Sequence, residues 1–138
     1  MVRPETTPRL LAIDLDGTLL RRDGTIHADD LLAIRRLREV GVPVSIVTGR
    51  LYSGSIDAAR TVGIQGPIAC VDGSQIVDTR DDQPRSLRPI TGQPASTLRR
   101  VLERHGPASF LFDGDEIVHD AAGHPYTRYL RKWSTRLA

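Results

Sequence analysis

The residues best suited to chemistry lie together near the start of the chain. The apolar run Leu11-Ala12-Ile13 continues into Asp14, Leu15, Asp16, Gly17 and Thr18. It therefore delivers two carboxylates one residue apart, then a glycine and a hydroxyl, at what reads as the end of a buried strand. Carboxylates so placed can divide phosphoryl chemistry between nucleophile, general acid and ligand for a hard cation. In open α/β sheets, strand C-termini are where ligands bind. Two later apolar runs end in a similar way. Ser45-Ile46-Val47 leads to Thr48-Gly49-Arg50, and Ile68-Ala69-Cys70-Val71 leads to Asp72-Gly73.

The elements that must position these groups follow from the spacing of apolar residues. Residues 10–15 read as a continuous apolar strand, the pattern of a strand covered on both faces, and 42–47 as a second apolar strand. Between them, Leu31, Ile34, Leu37 and Val40 recur at helical spacing, which predicts a helix over 28–40 closed by Gly41 and Pro43. A second helix is predicted over 53–62 and a third strand over 67–71. Gln75 to Asp78 is expected to pair beyond it. Strand and helix alternate, as in a parallel doubly wound sheet. Right-handed crossovers then bring Asp14/Asp16, Thr48/Gly49 and Asp72/Gly73 to one rim. The charged stretch from Thr79 to Arg85 reads as a linker or hairpin tip. Beyond it, a helix over 94–105, strands over 109–112 and 116–119, and a helix over 124–133 suggest a separate α+β unit. Asp113-Gly114-Asp115 is read as a hairpin turn before a metal loop. His119 and His124, without partners at metal spacing, are read as surface residues.

Composition narrows the function classes. The 138 residues suit one domain of ordinary size, and no run approaches a membrane span. The polar, proline-bearing segment 1–8 has no apolar leader region. Cys70 is the only cysteine, so no internal disulfide forms. A buried thiol and a reducing cytoplasm are expected. The formal charge is +2, with arginines dispersed along predicted helices and loops and Lys132 as the only lysine. Without a coherent basic patch or stacking aromatics, neither a nucleic-acid nor a membrane partner is expected.

Asp-x-Asp-Gly-Thr would arise by chance in a chain of this length on the order of once in a thousand sequences, from ordinary residue frequencies. With Asp14 to Thr18 after an apolar strand and Thr48-Gly49-Arg50 after the next, the sequence resembles the haloacid-dehalogenase superfamily of phosphohydrolases. The Thr-Gly-Arg form and the segment Ala69 to Ser74 resemble its Cof-type branch, with Asp72 and Ser74 standing where that branch usually has Asn and Ala. The resemblance implies a partial doubly wound, Rossmann-like parallel sheet over 1–80, followed by the start of an α+β cap over 81–138. It implies Asp14 as nucleophile through an aspartyl-phosphate, and Asp16 as general acid and then base. Mg²⁺ would lie between the Asp14 carboxylate and the Asp16 main-chain carbonyl, so Asp14 and Asp16 are also the metal residues. Thr48 and the N–H of Gly49 would hold the phosphate. Asp72 receives no catalytic role. Arg50 is read equally as a rim residue or a solvated helix start.

Two further motifs of that superfamily are not found in these residues. One is a late lysine beside the nucleophile, and Lys132 falls within the cap-like part instead. The other is a late Gly-Asp motif completing the Mg²⁺ site, and the only Gly-Asp, Gly114-Asp115, lies between short strands. Three readings stay open. The chain is the N-terminal portion of a longer phosphatase for a small, sugar-phosphate-like metabolite, one half of a split enzyme completed by a second chain, or a non-catalytic phosphate- and Mg²⁺-binding or regulatory module.

Overall fold

The computed structural model describes residues 10–138. The N-terminal segment on which the leader reading rests lies outside the described residues. Strand β1 (Leu11–Ile13) pairs in parallel with β2 (Val44–Ile46), Leu11 opposite Val44 and Ile13 opposite Ile46. Helix α1 (Ala28–Glu39) connects them, its N-terminus capped by the His27 ring, which accepts the Asp29 N–H at 3.1 Å. After α2 (Ile56–Thr61), strand β3 (Pro67–Cys70) runs parallel to the end of β2 through the Val47–Ala69 bridge. Strands β4 (Gln75–Asp78) and β5 (Gln83–Leu87) then extend the β3 edge antiparallel. The architecture is α/β, and β1, β2 and β3 follow one another across the sheet in chain order.

That order explains where the core lies. Two crossovers in the same direction place both helices on one face. Leu11, Ile13, Val44, Ile46, Ile68 and Cys70 face them and pack with Ile34 of α1 and Ala59 of α2, joined by Leu15, Leu19 and Leu20. The alternate residues point away from the helices. Ala12 is exposed, which corrects the expectation that β1 is covered on both faces, and Val47 after β2 is exposed as well. Only one helical layer covers this sheet among the described residues.

The charged stretch after β4 is a hairpin tip. Asp82 accepts from Arg60 of α2 at 3.0 Å and from the Tyr52 hydroxyl, tying the tip to the first layer. Within the hairpin, Asp78 is buried and bound by Arg80 at 2.6 Å and Arg85 at 3.3 Å.

The rest of the chain comprises α3 (Gly92–His105), the hairpin of β6 (Phe110–Asp113) and β7 (Glu116–His119), and a 3-10 turn at His124–Tyr126 leading into α4 (Thr127–Leu130). The C-terminal residues return along β7, with Ile117 N–H donating to Arg136 at 3.0 Å and Ala138 N–H to Ile117 at 3.0 Å. Ile117 and Leu130 bury against Leu51, so a second small core joins this region to the segment after β2. The two predicted helices around it are shorter than their sequence pattern. Residues 53–55 instead form a turn in which the Ser55 hydroxyl donates to Leu51 at 2.8 Å and the Ser53 N–H donates to Asp115 at 2.8 Å. Similarly, α4 stops at Leu130 because the residues that follow dock onto that turn.

Candidate active site

The turn after β1 is closed by main-chain bonds: Leu19 N–H donates to Asp14 at 3.2 Å and Leu20 N–H to Leu15 at 2.8 Å. Gly17, at φ 77°, occupies the left-handed region that this reversal needs and that other residues avoid. The turn leaves the Asp14 and Asp16 side chains exposed at the strand end while Leu15, Leu19 and Leu20 enter the core. Thr18 donates to the Asp14 carboxylate at 3.4 Å.

The three strand ends meet as the alternation predicts. Thr48 N–H donates to Ala69 at 2.9 Å, Asp72 N–H to Thr48 at 3.1 Å, and Val71 N–H to Arg50 at 2.9 Å. The buried Thr48 hydroxyl accepts the Arg50 N–H at 3.2 Å, which leaves its own hydrogen to donate. The Asp72 carboxylate lies against Gly49, its Oδ1 3.3 Å from where a Cβ on Gly49 would stand. An anion therefore borders the N–H group expected to meet a phosphate.

Sequence reasoning undervalued two cations. Arg50 is not solvated. Its guanidinium, only 12 % exposed, donates from Nε and Nη2 to the two oxygens of Asp16 at 2.8 and 2.8 Å. Its remaining nitrogen donates to the Gly54 carbonyl at 2.9 Å. Lys132, which the sequence places away from the site, brings its Nζ to 3.5 Å from Asp16 Oδ1. The Arg50 fork holds the Asp16 carboxyl below the usual range, partial burial opposes this, and Lys132 adds to the lowering. Asp16 is thus held in its carboxylate form by the two cations. The available signal for Arg50 was its position two residues after Thr48 at a strand end. For Lys132 there was none.

The two carboxylates have unlike surroundings. Asp16 is clasped by cations, whereas Asp14 has no ion-pair partner among the described residues. Nor does any group of three or more His, Cys, Asp or Glu side chains gather as a metal cage among them. One carboxylate with main-chain oxygens fits Mg²⁺, which retains several waters and takes few protein ligands. His119 and His124 lie beside each other, 5.8 Å between ring centres, without the carboxylate or thiolate partners of a zinc site.

The haloacid dehalogenase-like hydrolase family model matches residues 11–136. The chain belongs to that family. Among curated relatives, the chain is 41% identical to a 5-amino-6-(5-phospho-D-ribitylamino)uracil phosphatase of Bacillus subtilis over 91% of its own length and 46% of the relative's. It is 28% identical to a pyridoxal phosphate phosphatase of Escherichia coli, over 95% of this chain and 48% of that one. A haloacid dehalogenase-like hydrolase from Bacteroides thetaiotaomicron shares the fold at a TM-score of 0.75 and 20% identity, over 96% of this chain and 51% of that one. The chain spans about half the length of the curated relatives it matches. No helix among the described residues is long and apolar enough to cross a membrane.

Proposed function

We propose that this chain carries the phosphoryl-transfer half of a phosphohydrolase acting on a small phosphorylated metabolite. The observation that carries this reading is the unlike treatment of two carboxylates one residue apart: Asp14 without an ion-pair partner among the described residues, Asp16 held by Arg50. Such pairs divide labour. Asp14 attacks phosphorus and the bond to the leaving oxygen breaks, giving an aspartyl-phosphate and an alcohol. When the Arg50 fork opens, Asp16 takes up a proton from solvent, passes it to the leaving alcohol and then takes one from the water that hydrolyses the intermediate. Thr48 and the Gly49 N–H hold phosphoryl oxygens. Mg²⁺, held by the Asp14 carboxylate and the Asp16 main-chain carbonyl, would reduce repulsion between nucleophile and phosphate. The relatives named as phosphatases of pyridoxal phosphate and of a phosphoribitylaminouracil support the substrate class.

The test is chemical trapping. With an aryl phosphate and Mg²⁺, the protein is expected to carry a hydroxylamine-labile phosphoryl group on the peptide containing Asp14. Asp14→Asn abolishes the label, and Asp16→Asn slows its formation and release. A label on another residue, or turnover that survives Asp14→Asn, overturns the reading. The clasp on Asp16 favours one alternative, a module that binds phosphate and Mg²⁺ without turnover. In that case inorganic phosphate binds and no label forms.

A further inference from the structure

Lys132 reaches the rim because its backbone is seated there. Leu51 N–H donates to the Trp133 carbonyl at 2.9 Å, and Thr135 N–H donates to the Ser53 hydroxyl at 3.1 Å. Ser53 and Ser134 hydroxyls are 3.1 Å apart. Gly54 completes the seat, since a Cβ there would stand 2.4 Å from the Trp133 carbonyl oxygen. The stem of Lys132 is thereby held over a cavity of about 560 Å³ that Asp16, Gly17, Arg50 and Gly54 also line.

Two cations share the Asp16 carboxylate unequally. Arg50 is mostly buried and commits its fork to Asp16 and its third nitrogen to Gly54. Lys132 touches Asp16 at 3.5 Å with its side chain 57 % exposed. A solvated, single contact of this kind holds weakly, and an ammonium on a flexible stem binds phosphate as a mobile point charge. An anion entering the cavity can draw Lys132 away without opening the Arg50 fork.

We propose that Lys132 is a phosphoryl-binding residue, delivered to the rim by the C-terminal part of the chain, and that it leaves Asp16 for a phosphoryl oxygen when a ligand binds. This rests on the reading of the rim as a phosphoryl site, given above.

Because Lys132 is the only lysine, selective labelling gives one side-chain Nζ and Cε signal. Inorganic phosphate, titrated in the presence of Mg²⁺, is expected to shift it saturably. Lys132→Met should weaken phosphate binding by about tenfold to a hundredfold, the range for a charged hydrogen bond, and flatten its salt dependence. Lys132→Arg should restore most of the affinity. Trp133 emission should stay unchanged in both variants, showing that the seat is intact. If the wild type binds phosphate but the lysine signal does not move, or Lys132→Met binds as well as wild type, the assignment falls and the phosphoryl-site reading stands. Equal losses in Lys132→Arg and Lys132→Met also overturn it, because charge would then not be what is used. A wild type that binds no phosphate overturns both readings.

Discussion

Val71 and Asp72 carry backbone strain at the rim, with φ values of 50° and 51°. A β-branched residue in the left-handed region is a true outlier, and such positions persist where surrounding contacts enforce them. Here the enforcing bonds are those of their N–H groups to Arg50 and Thr48. Asparagine tolerates this conformation better than most residues, so Asp72→Asn is expected to leave the Tm unchanged or slightly raised. Removing the charge beside Gly49 should also tighten inorganic phosphate about sixfold, as for unit charges about 4 Å apart in water. Calorimetric titration of both proteins checks this. Cys70 is a second test: burial pushes its thiol up to about 12, so a disulfide reagent should modify it only after unfolding. At this scale the sequence was readable in position, since Asp14, Asp16 and Thr48 stand at the strand ends where the spacing puts them. It was silent on Lys132, because the partner of a long side chain is decided by tertiary docking.

The seat around Gly54 makes an element-level prediction. Gly54→Val places a side chain against the Trp133 carbonyl. Trp133, the only tryptophan, should then emit at longer wavelength while helical circular dichroism from α1 and α2 persists. An unchanged spectrum would mean that the turn at 52–55 does not hold the C-terminal segment. The β4–β5 hairpin gives a pH prediction. Arg80 above all, with Arg85, holds Asp78 well below the usual carboxylate range against the opposing effect of burial. A group whose folded value is depressed stabilises the fold above its unfolded value of about 4, and this is lost as pH falls through the folded value. Asp78→Asn should therefore lower stability at pH 7 and make it less sensitive to acid, measured by urea unfolding at neutral and low pH. The element reading succeeded where local pattern decides. The β6–β7 hairpin and α1 fall where apolar spacing and turn residues put them. Residues 53–55 and 131–133 were read as helix because their spacing permits it, whereas long-range bonds to Asp115 and Leu51 win.

Across the whole molecule, apolar surface is distributed unevenly. One face of the parallel sheet leaves Val47 exposed, α3 exposes Leu98 and Val101, and the second hairpin exposes Leu111 and Val118. Apolar side chains left open on three separate elements give a second molecule places to pack. Residues 1–138 alone are expected to bind a hydrophobic dye and to sediment with concentration-dependent mass, and Val101→Glu should reduce both. Concentration-independent monomer without dye binding would contradict this. The convergence of three strand ends was legible in the alternation of strands and helices, since crossover handedness leaves little choice. The uncovered face was not, because Ala12 and Val47 are apolar whichever way they point. The contact between Leu51 and Trp133 has one more consequence. It joins main-chain N–H to main-chain carbonyl, and a backbone bond does not read side-chain identity. The side chain at 132 can therefore change from one descendant to another while the docking register stays fixed, so ligand preference at this rim can drift without the fold being rebuilt.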